Sequence, residues 1–165
     1  MGTSMKSDES VSEYLSRRHK ELEESYGDLK AKVFKTLKGL QLKRVQVNFD
    51  GCGDSGQIDS VAYGKTATGS CEENKTIDET PVEGVEITDT TRWDEKAKDW
   101  VSEMRAGNLR DAIEQLCYDL LEMEHGGWEI NEGSYGTFEF TIKDNLIHLA
   151  FSQRVQTTEE SEHEY

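Results

Sequence analysis

An alternating segment, Val45-Gln46-Val47-Asn48-Phe49, runs directly into Asp50-Gly51-Cys52-Gly53-Asp54-Ser55-Gly56-Gln57. No other junction constrains the fold as strongly. The period of two reads as a half-buried strand with Val45, Val47 and Phe49 on the inward side. Three glycines within six positions (51, 53 and 56) demand a sharp turn, a positive φ or close approach of another group. A second strand, Ile58 to Tyr63, follows, so the pair is expected to form a hairpin with a wide, structured loop. A similar segment, His125-Gly126-Gly127-Trp128-Glu129-Ile130-Asn131-Glu132-Gly133-Ser134-Tyr135-Gly136, lies in the last third of the chain. Brought together, the two segments would surround one polar site. It would draw Asp50, Asp54, Ser55 and Gln57 from the first, and His125, Trp128, Glu129 and Asn131 from the second.

The remaining pattern predicts an α+β fold: an antiparallel sheet covered by helices on one face, in the order α-β-β-β-α-β-β-β. Leu15, Leu22, Tyr26, Leu29, Val33 and Leu37 recur at helical spacing, which predicts a long helix over 10–38 that packs on the core or pairs with a second helix. Residues 64–79 read as a mobile excursion, and Val82, Val85 and Ile87 as an edge strand after Pro81. Trp93, Ala97, Trp100 and Met104 share a helical face and predict a short helix. Asn108 is positioned to cap a helix that ends near His125, before Gly126-Gly127. Trp128–Ile130, Thr137–Ile142 and Leu146–Phe151 read as a meander. Residues 1–9 and the acidic stretch 156–165 carry no core-forming pattern and are expected to be disordered, leaving a single domain over 10–155.

The chain of 165 residues carries a net charge of -15. Residues 1–46 balance at +3 and residues 47–165 at -18. An acidic body of this kind repels nucleic acid and anionic membranes, which argues against direct binding to either. It also allows a sharper reading, an acidic face that imitates a phosphate backbone and docks on a basic protein. No apolar run is long enough to span a bilayer, and the N-terminus has no signal-peptide core. Cys52, Cys71 and Cys117 have neither disulfide-framework nor zinc spacing. The expected setting is the cytoplasm.

Gly53-Asp54-Ser55-Gly56 repeats the nucleophile segment of trypsin-like proteases, but the surrounding sequence does not follow, and His19 is the only upstream histidine. An EF-hand is excluded by Cys52, Ser55 and Val61 at its third, sixth and twelfth positions. An irregular divalent-cation site built from Asp50, Asp54 and Glu129 is the remaining metal reading, because crowded carboxylates repel unless a cation or backbone amides relieve them. No cofactor fingerprint occurs.

Phe49-Asp-Gly-Cys-Gly-Asp-Ser-Gly-Gln-Ile58 and His125-Gly-Gly-Trp-Glu-Ile-Asn-Glu-Gly-Ser-Tyr-Gly-Thr-Phe138 jointly resemble a bacterial and phage domain family of unknown function. The resemblance spans roughly residues 42–155 and leaves the long helix and acidic tail outside. It implies a microbial or mobile-element origin and a shared α+β domain, and it transfers no activity. Two function classes follow. The first is a non-enzymatic acidic binding or regulatory protein acting on a host protein, with oligomerisation through helix 10–38 as a further expectation. The alternative is a metal-assisted hydrolase built on the glycine segments, with His125 as proton carrier.

Overall fold

The computed structural model describes residues 10–53 and 55–164, with Asn131 described by its backbone alone. The expected disorder of 1–9 therefore concerns residues outside this range. Helix α1 (Val11–Gly39) opens on a capping box: the Ser10 hydroxyl accepts from the Glu13 amide, and the Glu13 carboxylate accepts from the Ser10 amide. It ends where Leu40 N–H reaches the Thr36 carbonyl and Gln41 takes a positive φ. Strands β1 (Arg44–Gly53) and β2 (Ser55–Gly64) follow, then a single-turn helix α2 (Lys75–Asp78) and strands β3 (Pro81–Asp94) and β4 (Asp99–Asn108). Helix α3 (Leu109–His125), strand β5 (Asn131–Thr141), a 3-10 turn at Ile142–Asp144 and strand β6 (Leu146–Gln153) complete the chain. The remaining described residues, 154–164, form neither helix nor strand.

Four strands make one antiparallel sheet in the order β2-β1-β5-β6, so β1 is central and pairs with a strand some ninety residues away. Alternation sends Val45, Val47, Phe49, Phe138 and Phe140 to one face, where the second half of α1 and the whole of α3 cover them. Phe34 of α1 stacks on Phe140 at 5.8 Å between ring centres, and Val33, Leu37, Ile113, Leu116 and Cys117 are fully buried. The opposite face is polar and open. There Asn48 bridges two neighbouring strands, donating to the Ser60 hydroxyl and accepting from that of Thr137, each at 2.9 Å. Arg44 pairs with Glu139 at 2.8 Å on the same face. The expected α+β class, an antiparallel sheet covered by helices on one face, is the architecture observed.

Three segments differ from expectation. Trp93–Met104 is not helical; it belongs to β3 and β4, which form a separate two-stranded sheet. The Asp94 carboxylate accepts from the amides of Lys96 and Ala97, and Lys98 takes φ 54°, so the chain reverses and sets Trp93 opposite Trp100. The three- and four-residue spacing of Trp93, Ala97, Trp100 and Met104 thus spans two strands and a turn, not a helix. Trp128–Ile130 forms turns, with Ile130 N–H on the Gly127 carbonyl and Gly133 N–H on the Ile130 carbonyl. The excursion 64–79 is anchored: Glu72 exchanges two backbone bonds with Tyr63, and the Tyr63 hydroxyl donates to Asp78 of α2 at 2.6 Å.

Asp119 lies on α3 with only 9% of its surface exposed, accepting from the Gln115 side-chain amide at 2.8 Å. Burial pushes its carboxyl above the ordinary value, and the Gln115 bond acts the other way. The folded chain therefore holds this proton more tightly than the unfolded chain. The ionised group costs stability above its folded pKa, and that cost fades as pH falls toward the ordinary carboxylate value. Asp119→Asn should melt higher than wild type near neutral pH, with the gap closing on acidification. Parallel melting curves at every pH would show that burial of this carboxylate carries no such cost.

Candidate functional site

The two glycine segments meet. β1 and β5 pair with Asp50 opposite Tyr135, Gly51 opposite Ser134 and Gly53 opposite Asn131. The first segment is strand almost to its tip, not a wide loop, because Gly51 and Gly56 face each other in the β1–β2 ladder. These two glycines make room for Trp128. A Cβ on Gly51 would lie 2.8 Å from the indole, and one on Gly56 would overlap it. Trp128 meets Phe49 edge-on at 5.6 Å and lies 6.2 Å from the Tyr118 ring. Tyr118 accepts the Ile58 amide where a bulge in β2 shifts the register. Ser134, buried, donates to the Trp128 carbonyl at 2.7 Å. Glycine is therefore required here chiefly for close approach of a ring. Only Gly53 among these three takes a positive φ, 72°.

Those of the eight expected site residues whose side chains are described do not converge on one point. Asp50 projects from the open face of β1, where both carboxylate oxygens are taken by Arg154, Oδ2 at 2.6 Å and Oδ1 at 3.2 Å. Arg154 also donates to the Gly51 carbonyl at 3.0 Å and lies over the Tyr135 ring at 4.9 Å. This arginine ties the end of β6 to the tip of the first hairpin, and the sequence reading missed it. Its only sequence signal is that it is the last lysine or arginine of an acidic chain. Glu129 has its backbone against Gly51 on the covered side, the face opposite the Asp50 side chain. Its Oε2 is buried with no partner among the described residues. Ser55 and Gln57 are exposed, and Gln57 donates to Asp59, not to the second segment. His125, at the end of α3, stacks on Phe151 at 3.7 Å beside a hollow of about 130 Å³. Asp54 lies outside the described residues, as does the Asn131 side chain. Among the described residues no three His, Cys, Asp or Glu side chains are grouped to hold a metal ion. The corner is a packed joint with a salt-bridged outer surface.

Gly53→Val tests the backbone at the tip. Nothing lies within 4 Å of its added Cβ, so any loss comes from the left-handed conformation alone, about 1–3 kcal/mol. A melt identical to wild type would show that the tip relaxes without cost.

The surface with unsatisfied binding capacity is the β3–β4 arm. Trp93 and Trp100 pack edge to face at 5.7 Å yet remain 43% and 64% exposed, and Met104 is 52% exposed. Cross-strand pairing places Thr91 opposite Ser102 and Thr88 opposite Met104, with a hydroxyl contact within each pair. Strand alternation sets Trp100, Ser102 and Met104 on one face. The other face carries Arg92 paired with Glu103, and Arg105 paired with Asp89 and Asp111. One side of the arm is thus ionic and self-satisfied, while the other is aromatic, apolar and hydroxylic.

The family model that matches this chain covers residues 25–165. The chain belongs to DUF6878, a family of unknown function. The match takes in the core-packed half of α1 and the acidic tail, so the narrower span of 42–155 is corrected. No curated protein and no solved structure matches it. No helix among the described residues is long and apolar enough to cross a membrane.

Proposed function

We propose that this chain is a non-enzymatic binding or regulatory protein that engages a protein partner through the β3–β4 arm. The observation that carries the reading is the exposed Trp93–Trp100 pair at the end of a two-stranded arm. Tryptophan is the residue type most enriched at interface hot spots, and large apolar groups held in water by a defined scaffold mark contact surfaces. The net charge of -15 favours a basic target. A nucleic-acid-binding host protein, met by an acidic mimic, is the sharper form of the reading. A phage or mobile-element origin rests on the resemblance of the two glycine segments. A cytoplasmic setting rests on three cysteines that are free thiols.

The test is affinity capture from a bacterial lysate with wild type and Trp100→Ser in parallel, at low and high salt. A specific protein lost with Trp100→Ser is expected, and its capture should weaken as salt rises. Capture that survives the substitution would remove the arm from the interface. Capture indifferent to salt would remove the nucleic-acid mimic while sparing the arm.

A further inference from the structure

At the base of the arm, residues 84–88 of β3 run beside α1 and leave a slot of about 550 Å³ between strand and helix. Ser25, Asp28, Leu29 and Lys32 form the helical wall, spaced three and four apart on one face. Gln115 and Asp119 of α3 also line it, as does Met104 of β4. The volume falls within the about 300–1,000 Å³ of ligand clefts. β3 has β4 on one side and no strand on the other. At Gly84 that outer edge meets the slot, where its carbonyl accepts from Lys32 Nζ at 2.9 Å. A strand edge beside a helix offers main-chain donors and acceptors along one wall and side-chain contacts along the other.

The charges in the slot select what enters. Lys32 is its only cation among the described residues and is already paired with Asp28 at 2.8 Å. Glu86 and Asp119 have no ion-pair partner among the described residues. A basic chain is therefore favoured and an acidic one repelled.

We infer that the slot between α1 and the free edge of β3 binds an extended peptide segment bearing lysine or arginine, which adds to β3 as a third strand. Five residues of β3 span roughly 17 Å, room for a strand of about five residues. Its main chain would bond to the outer edge beyond Gly84, and its cationic side chains would meet Glu86 and Asp119. The inference deepens the binding reading by naming a ligand class; the slot shares Met104 with the arm's apolar face but uses neither tryptophan, so the two fail separately.

The experiment is selection of a displayed random octapeptide library on the full chain, followed by affinity measurement of the enriched peptides. The expected winners alternate β-branched residues with lysine or arginine. Thr88→Pro removes a backbone N–H from the stretch of β3 that lines the slot, on an edge strand, where proline is tolerated. It should weaken binding about tenfold, the loss of one or two main-chain hydrogen bonds. Glu86→Lys, at an exposed position, should weaken it by a similar factor without touching the backbone. Trp100→Ser should leave it unchanged. Failure to enrich any peptide, enrichment of acidic peptides, or binding to Thr88→Pro or Glu86→Lys at the wild-type level would overturn the inference. If the chain alone dimerises and Thr88→Pro returns it to monomer, a second copy fills the slot and the peptide assignment is likewise overturned.

Discussion

Trp128→Ala should lower the free energy of unfolding by about 3–5 kcal/mol, the range for removing a large aromatic from a packed interior. The side chain is 9% exposed and fills the space left by Gly51 and Gly56, against Phe49 and Tyr118. No neighbour can collapse into the gap, because the two strands beside it carry glycine at the contact points. Folded domains have about 5–15 kcal/mol in total, so the variant should sit near the edge of folding. Trp128→Phe should recover part of the loss by keeping the edge contact with Phe49. Urea titration of both variants checks this. A loss under about 1 kcal/mol for alanine would place Trp128 outside the cooperative core.

Gly133→Val should be as costly, for a different reason. Gly133 has φ 75°, and a Cβ there would be driven into the Gly51 carbonyl across the β1–β5 joint. Strain of about 1–3 kcal/mol from the left-handed backbone adds to about 1–3 kcal/mol from overpacking against a main chain that is itself held in a ladder. The comparison with Gly53→Val separates the two contributions. Both positions have a positive φ, but only Gly133 meets another backbone. The Gly133 variant should therefore melt well below the Gly53 variant. Equal melting temperatures would show that the joint opens to accept the side chain.

The helices were the most legible part of the chain, because their signals are local. The apolar stripe of α1 and the cap at Asn108 place two covering elements, and both are observed. The glycine clusters were legible as a requirement but not as a cause. Gly51 and Gly56 accommodate a ring supplied from residue 128, and no local pattern names the group that will approach. The same holds for Asp50. Its carboxylate suggests a cation site, but Arg154, more than a hundred positions away, takes both oxygens. The arm was misread because Trp93, Ala97, Trp100 and Met104 fit a period of 3.6 by coincidence. The β-branched residues Ile87, Thr88, Thr90 and Thr91 are the better local signal for a strand. The candidate site is thus half legible: its two segments do meet, but Asp50 and Glu129 lie on opposite sides of the sheet.

The central position of β1 has a consequence for how the chain is made. Its neighbour β5 begins at Asn131, so for about eighty residues of synthesis after β1 emerges, the β1–β2 hairpin has no second partner strand. For most of that interval Val45, Val47 and Phe49 face α1 without α3, and until β5 is made the β1 edge is open to other chains. A product terminated before β5 should aggregate, whereas one terminated after Arg154 should keep its sheet and its clasp. Nascent chains of this protein are thus most vulnerable during the time the ribosome spends on the arm, the segment that contributes least to closing the sheet.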